Sequence, residues 1–192
     1  MNEVKKEILR GIESTSIYEL AIKTPLEPAR SLSLRLGNEI FFKREDLQPV
    51  FSFKLRGAFH KMSLLSAEQR QRGVITASAG NHAQGVALSA NKLGLLAVIV
   101  MPVTTPEIKV NAVKALGAKV VLHGDSYDDA LERSFQLKEQ EGYEFIHPFD
   151  DPDVIAGQGT IAKEIIAQAG ETIDAIFVAV GGGGLLAGIL TY

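Results

Sequence analysis

Between Val74 and His147 the chain repeats one pattern, and it restricts the fold more than any other feature: a short apolar run, a longer stretch of helical periodicity, then a glycine. The alternation predicts strands over 74–77, 95–101, 118–123 and 143–147, separated by helices over 81–93, 106–116 and 127–141. Thr105-Pro106 reads as an N-cap followed by proline at the first helical position. Ser126 reads as a second N-cap with Asp129 in the capping-box position, and Gly94, Gly117 and Gly142 each follow a helix. The run Leu95 to Met101 is apolar without alternation, as a parallel strand covered on both faces must be. The expected fold class is therefore α/β, an open, doubly wound parallel sheet of about four strands flanked by helices.

The flanks have a different character. Residues 39–43 read as a short strand, and 54–65 as a helix with Leu55, Ala58, Phe59, Met62 and Leu65 on one face. The proline- and aspartate-rich stretch 148–153 reads as a boundary. A helix over 161–169, a strand over 173–180, a glycine turn and the start of an apolar helix over 185–192 then follow. Residues 1–72 and 148–192 are expected to be parts of one larger domain, interrupted by a small mobile domain over 73–147. An apolar helix with no stop signal after a parallel strand leads to the expectation that the chain is an N-terminal fragment lacking the C-terminal part of that larger domain.

Three short segments carry the chemistry. Lys54, in Ser52-Phe53-Lys54-Leu55-Arg56-Gly57-Ala58, sits at the start of its helix, where the positive end of the helix dipole favours loss of the ammonium proton. A neutral amine adds to an aldehyde, and Phe53 beside it offers an apolar wall for a flat ring; a solvated helix lysine and a core phenylalanine are the plain alternatives. Ser78-Ala79-Gly80-Asn81-His82 falls at a strand-to-helix turn whose free backbone N–H groups suit an anionic group. A mere helix cap with His82 on the surface reads equally well, and Asn81 could also donate to a phenolate oxygen. The run Gly181-Gly182-Gly183-Gly184 removes side chains where a phosphate needs close backbone approach. Lysine, polar turn and anion cradle together fit covalent capture of a phosphorylated aldehyde cofactor.

Other classes find little support. The net charge of −3, with 20 Lys and Arg scattered among 23 acids, argues against nucleic acid as a partner. Without cysteine there is no disulfide, thiolate metal site or thiol nucleophile. Asp150, Asp151 and Asp153 sit between prolines and read as a solvated turn, so no metal is expected. The charged N-terminus and the absence of an apolar run of about 20 residues predict a soluble cytoplasmic protein with no membrane association.

The segments Lys43-Arg44-Glu45-Asp46-Leu47-Gln48-Pro49-Val50-Phe51-Ser52-Phe53-Lys54, Ser78 to Gly85, Gly157-Gln158-Gly159-Thr160 and Gly181 to Leu185 closely resemble threonine dehydratases (threonine ammonia-lyases), of the biosynthetic type that serves isoleucine synthesis. The resemblance runs from about Thr24 to the end and implies pyridoxal 5'-phosphate in the tryptophan-synthase-β type of fold (fold type II). Carried over, it implies that Lys54 holds the cofactor covalently and is the catalytic residue. Asn81 bonds the cofactor's ring oxygen, and Gly181, Gly182, Gly183, Gly184 and Leu185 bind its phosphate. Ser78, Asn81 and His82 grip the carboxylate of a small amino-acid substrate. The implied reaction converts L-threonine to 2-oxobutanoate and ammonia, with L-serine giving pyruvate, and the implied assembly is a homo-oligomer, a tetramer. A serine that meets the pyridine nitrogen in the family, and a C-terminal regulatory region, have no counterpart here. A serine racemase, a serine dehydratase or a cysteine synthase of the same fold shares the lysine and the glycine loop. A noncatalytic phosphate-binding α/β module shares only the loop.

Overall fold

The computed structural model describes residues 3–170 and 173–192. Its centre is a four-stranded parallel sheet of β3 (Val74–Ala77), β4 (Ala97–Met101), β5 (Lys119–Leu122) and β6 (Glu144–Phe145), in the spatial order β5-β4-β3-β6. Val74, Ala97, Ile99 and Met101 face α5 (Asn81–Leu93) and α6 (Glu107–Ala115), while Ile75, Ala77, Val98 and Val100 face α7 (Tyr127–Glu141). Burial on both faces is why these strands are apolar without alternation. The expected capping box is present at α7, where Ser126 accepts from the Asp129 amide and the Asp129 carboxylate accepts from the Ser126 amide. The cap of α6 falls one residue later than expected, because the Pro106 carbonyl already accepts from Lys109 and Val110. Leu95 and Leu96 lie outside β4: the Leu95 amide closes α5 on Ala90.

A second layer forms around α8 (Pro152–Ala169), against which pack α1 (Glu3–Ser14), α3 (Lys54–Ser63) and α9 (Gly184–Thr191). Helix α8 starts nine residues before the expected 161 because Asp151 is its N-cap, accepting from the Asp153 and Val154 amides at 2.9 and 3.2 Å, with Pro152 at the first helical position. Of the stretch 148–153 that reads as a turn, 148–151 do form a bend, and Pro152 and Asp153 already belong to the helix. Strand β1 (Leu26–Pro28) pairs antiparallel with β2 (Phe41–Lys43), with α2 (Arg30–Leu36) between them. Helices α1, α2 and α4 (Ala67–Arg72) had no sequence expectation, although Ser66 and Gln69 form a full capping box on α4. The strand expected over 173–180 is not formed among the described residues: the segment pairs with no neighbour and is mostly exposed, Phe177 to 97%. A strand exists only through a ladder with a neighbour.

Helix α3 lies between the layers. Its Ala58 and Met62 belong to the same buried cluster as Val86 of α5 and Ile99 of β4. On its other side it crosses α8 at Gly57 and Gly157, so closely that a Cβ on Gly157 would lie 2.5 Å from the Arg56 carbonyl and 2.6 Å from the Gly57 Cα. Both obstacles are backbone and cannot swing aside. Gly157→Ala gains about 1 kcal/mol of helix propensity but forces the helices apart at a cost of about 1–3 kcal/mol or more. Urea unfolding is expected to show net destabilisation.

Candidate active site

In chain order the parallel strands run β3 to β6, but in space the order turns back on itself between β3 and β6. Ligands of open α/β sheets bind at such a reversal, beyond the carboxyl ends of the strands. The loops leaving those two strands are Ser78–Gly80 and His147–Phe149, and the residues singled out in the sequence gather around them.

Lys54 opens α3, with its own amide bonded to Ser52 Oγ at 3.2 Å. Its Nζ donates to the Pro148 carbonyl at 2.6 Å and stands 5.5 Å from the Phe53 ring centroid. Burial pushes the Lys54 amine below its ordinary range. The cause is desolvation, where the sequence pointed to the helix dipole. Ser78 Oγ accepts from the Gly80 and Ala83 amides at 3.2 and 3.3 Å, so it is Ser78 that tethers the start of α5. Asn81 is exposed, and its amide group bonds to nothing among the described residues. His82 is not a surface residue. It is buried, and its Nε2 lies 3.0 Å from the Ile146 carbonyl, which requires Nε2 to carry the proton. Nδ1 of His82 is buried without a partner, and desolvation pushes the imidazole down to about 4, with Lys54 and His147 adding to the effect.

The glycine run closes the same region. A Cβ on Gly182 would lie 2.3 Å from the Phe149 ring, and one on Gly184 would lie 2.5 Å from the Phe149 carbonyl, whereas one on Gly181 or Gly183 would meet nothing within 4 Å. Gly183 takes the left-handed conformation, φ +87°. Among the described residues no protein oxygen accepts from the main-chain amides of Gly181 to Leu185. Bare amides over open space at the start of α9 are a fit for a phosphate. Pro148 and Phe149 are adjacent, so amine and cradle meet the same turn.

Sequence reasoning missed the support beneath Lys54. Arg56, fully buried, donates to Glu45 (Nε–Oε2, 2.8 Å) and Glu164 (Nη1–Oε1, 2.6 Å), and also to Thr160 and the Ile22 carbonyl. Glu164 further accepts from Lys43 at 2.5 Å and Tyr18 at 2.8 Å. Burial alone would raise the Glu164 carboxyl, but Arg56, Lys43 and Tyr18 outweigh it and hold the pKa low. For Lys43 burial outweighs the pair, and its ammonium falls below its ordinary range. Two cations and a phenol on one carboxylate keep Glu164 ionised. Burial and the Glu164 bond push the Tyr18 phenol up to about 12. The sequence carried no sharp signal for this network, since Arg56 and Glu164 stand off the apolar faces of their helices and their partners are remote in the chain. The acidic residues form no candidate metal cluster among the described residues. Asp151 caps α8, and Lys61 bridges Asp151 and Asp153 at 2.9 and 3.0 Å.

Residues 17–192 match the family described as pyridoxal-phosphate dependent enzyme, and the chain belongs to it; pyridoxal phosphate is that family's cofactor. The chain is 63% identical over 186 residues to the biosynthetic, chloroplastic threonine dehydratase of Arabidopsis thaliana, covering 97% of this chain and 31% of that protein. It is 57% identical over 189 residues to the biosynthetic L-threonine dehydratase of Burkholderia multivorans, covering 97% and 37%. Among solved structures, the processed form of threonine deaminase isoform 2 from Solanum lycopersicum superimposes with a TM-score of 0.93 at 52% identity, covering all of this chain and 52% of that one. Maize serine racemase gives 0.90 at 36% identity, covering 96% and 55%. The chain thus spans about a third of the length of these curated relatives. The fold is that of the fold type II, tryptophan-synthase-β-like enzymes.

Glu164→Gln would leave two buried cations sharing Glu45, and thermal or urea unfolding is expected to show a loss of about 3–5 kcal/mol. His82 titrates near 4 in the fold and near 6.5 when unfolded, so the unfolded chain takes up the proton first. Stability is therefore expected to hold above 6.5 and to decline as pH falls toward 4, by roughly 3 kcal/mol for this group. Burial lowers His60 and His147 in the same direction. Unfolding measured across that range should show a shallower decline in His82→Gln.

Proposed function

We propose that the chain carries the lysine-bearing part of a pyridoxal-phosphate-dependent threonine dehydratase, which converts L-threonine to 2-oxobutanoate and ammonia and L-serine to pyruvate as the first step toward isoleucine. The observation that carries the reading is the convergence of the buried Lys54 amine and the bare amides of Gly181 to Leu185 on the turn at Pro148 and Phe149. The cofactor, when bound, supplies an electron sink for the charge left at the substrate Cα.

In this reading Lys54 would hold the cofactor's aldehyde carbon until the substrate's amino group displaces it there, and the Lys54 amine so freed would take the Cα proton; burial keeps the amine easy to deprotonate. Gly181 to Gly184 and Leu185 would hold the phosphate, Phe53 would offer the ring an apolar wall, and the free Asn81 amide would bond the ring oxygen. The substrate carboxylate meets the amides at the start of α5, next to Ser78, Asn81 and His82. Threonine then loses its β-hydroxyl as water, and hydrolysis of the released enamine gives the oxo acid and ammonia. The methyl that distinguishes threonine from serine adds only an apolar contact worth about 1–3 kcal/mol, so both are substrates. The small domain, residues 73–147, closes on the large one, built from 1–72 and 148–192. The intact protein is a cytoplasmic homo-oligomer, a tetramer.

Borohydride reduction of the intact protein with pyridoxal phosphate, followed by peptide mapping, is expected to tag Lys54 and nothing else. Lys54→Ala should lower 2-oxobutanoate formation from L-threonine by about 10²–10⁴-fold or more. Tagging elsewhere, or inversion of L-serine without ammonia release, overturns the proposal.

A further inference from the structure

The turn that joins amine and cradle is itself held by one side chain that the reaction above does not use. Resting on that reading, we infer that His147 is a positioning residue: its Nδ1 folds the turn that lays the Pro148 carbonyl on Lys54 and the Phe149 ring beneath the glycine loop.

Nδ1 of His147 accepts from the Phe149 amide at 3.2 Å and from the Asp150 amide at 2.7 Å. Both partners can only donate, so Nδ1 must be bare and the ring proton must sit on Nε2. Neither amide has another acceptor among the described residues. The ring is seated edge-on against Phe149 (centroids 4.7 Å apart) and Phe145 (6.1 Å), and Phe145 in turn stacks on Phe135 of α7. The turn is therefore tied to the small sheet through the aromatic stack and to the lysine and glycine loop through the next two residues.

Protonation makes Nδ1 a donor facing two donors, so both bonds are lost together and the turn opens. The charges facing the ring oppose one another. The Asp150 and Asp151 carboxylates favour the imidazolium, whereas Lys54 from α3 disfavours it, and His82 from α5 is electrostatically coupled to it. Burial sides with Lys54 and keeps the bare-nitrogen form that the turn requires. The lysine contact and the floor of the cradle thus depend on His147 remaining neutral.

Two variants separate this role from mere packing. In His147→Asn the side-chain oxygen can accept from the same two amides and never titrates. In His147→Phe the ring packing survives without an acceptor. Without cofactor, hydrogen exchange in the segment 146–151 is expected to be about tenfold faster or more in the Phe variant and close to wild type in the Asn variant. The dissociation constant for pyridoxal phosphate should rise about tenfold in the Phe variant. Between about pH 7 and about pH 5 wild type should lose affinity by an increment that the Asn variant lacks. Wild-type exchange in the Phe variant, or the full acid-side loss retained in the Asn variant, overturns the inference. The expected exchange difference in a protein that binds no pyridoxal phosphate would uphold His147's control of the turn and refute the cofactor reading.

Discussion

The position of Lys54 depends on a charge that has no access to water. Arg56 lies two residues along the same helix, and its guanidinium is satisfied by Glu45 before the helix and Glu164 on α8, with Lys43 of β2 completing the group. Two cations and two anions cancel, which is what permits them to be buried at all. The geometry is demanding because each ion is tolerable only while its partners stay in place. The network therefore fixes the first turn of α3 against α8 and the β1–β2 pair, and Lys54 inherits that rigidity. Burial lowers the lysine pKa, but burial there is possible only because its neighbour is held.

Above this base, the site is assembled by the Ile146–Phe149 segment leaving β6. The Ile146 carbonyl accepts from Thr76 and lies against His82 Nε2, the Pro148 carbonyl accepts from Lys54, and Phe149 backs Gly182 and Gly184. Most of these contacts are to main-chain carbonyls: that of Ile146 follows from the strand that precedes it, and that of Pro148 from the turn that His147 holds. Because β6 lies next to β3 and away from β5, this segment faces the Ser78–Gly80 loop across the reversal in strand order. Had β6 paired at the β5 edge, the same residues would be remote from one another.

What escaped the sequence reading did so for physical reasons. Asp151 and Pro152 signal a turn and a helix start with the same residue types, and only the capped amides decide between them. The pairing of Arg56 with Glu164 went unread because the two lie 108 residues apart in the chain. Residues 173–180 have the composition of a strand, yet no partner lies beside them in the described chain. For Lys54 the chemical expectation of a readily deprotonated amine agrees with the structure while its reason does not, since burial does what was attributed to the dipole.

By itself the sequence determined what depends on near neighbours. The strand and helix alternation over 74–147, the capping of α7 by Ser126, the apolar face of α3 and the bare glycine loop follow from periodicity, local hydrogen bonding and the absence of side chains. Residue types at short spacing also marked the family to which the chain belongs. Only the tertiary structure decided the strand order, the burial of His82, the Arg56 ion network and the use of the Pro148 and Phe149 turn as common ground for amine and cradle. These depend on distances between residues far apart along the chain, and no local propensity encodes such a distance.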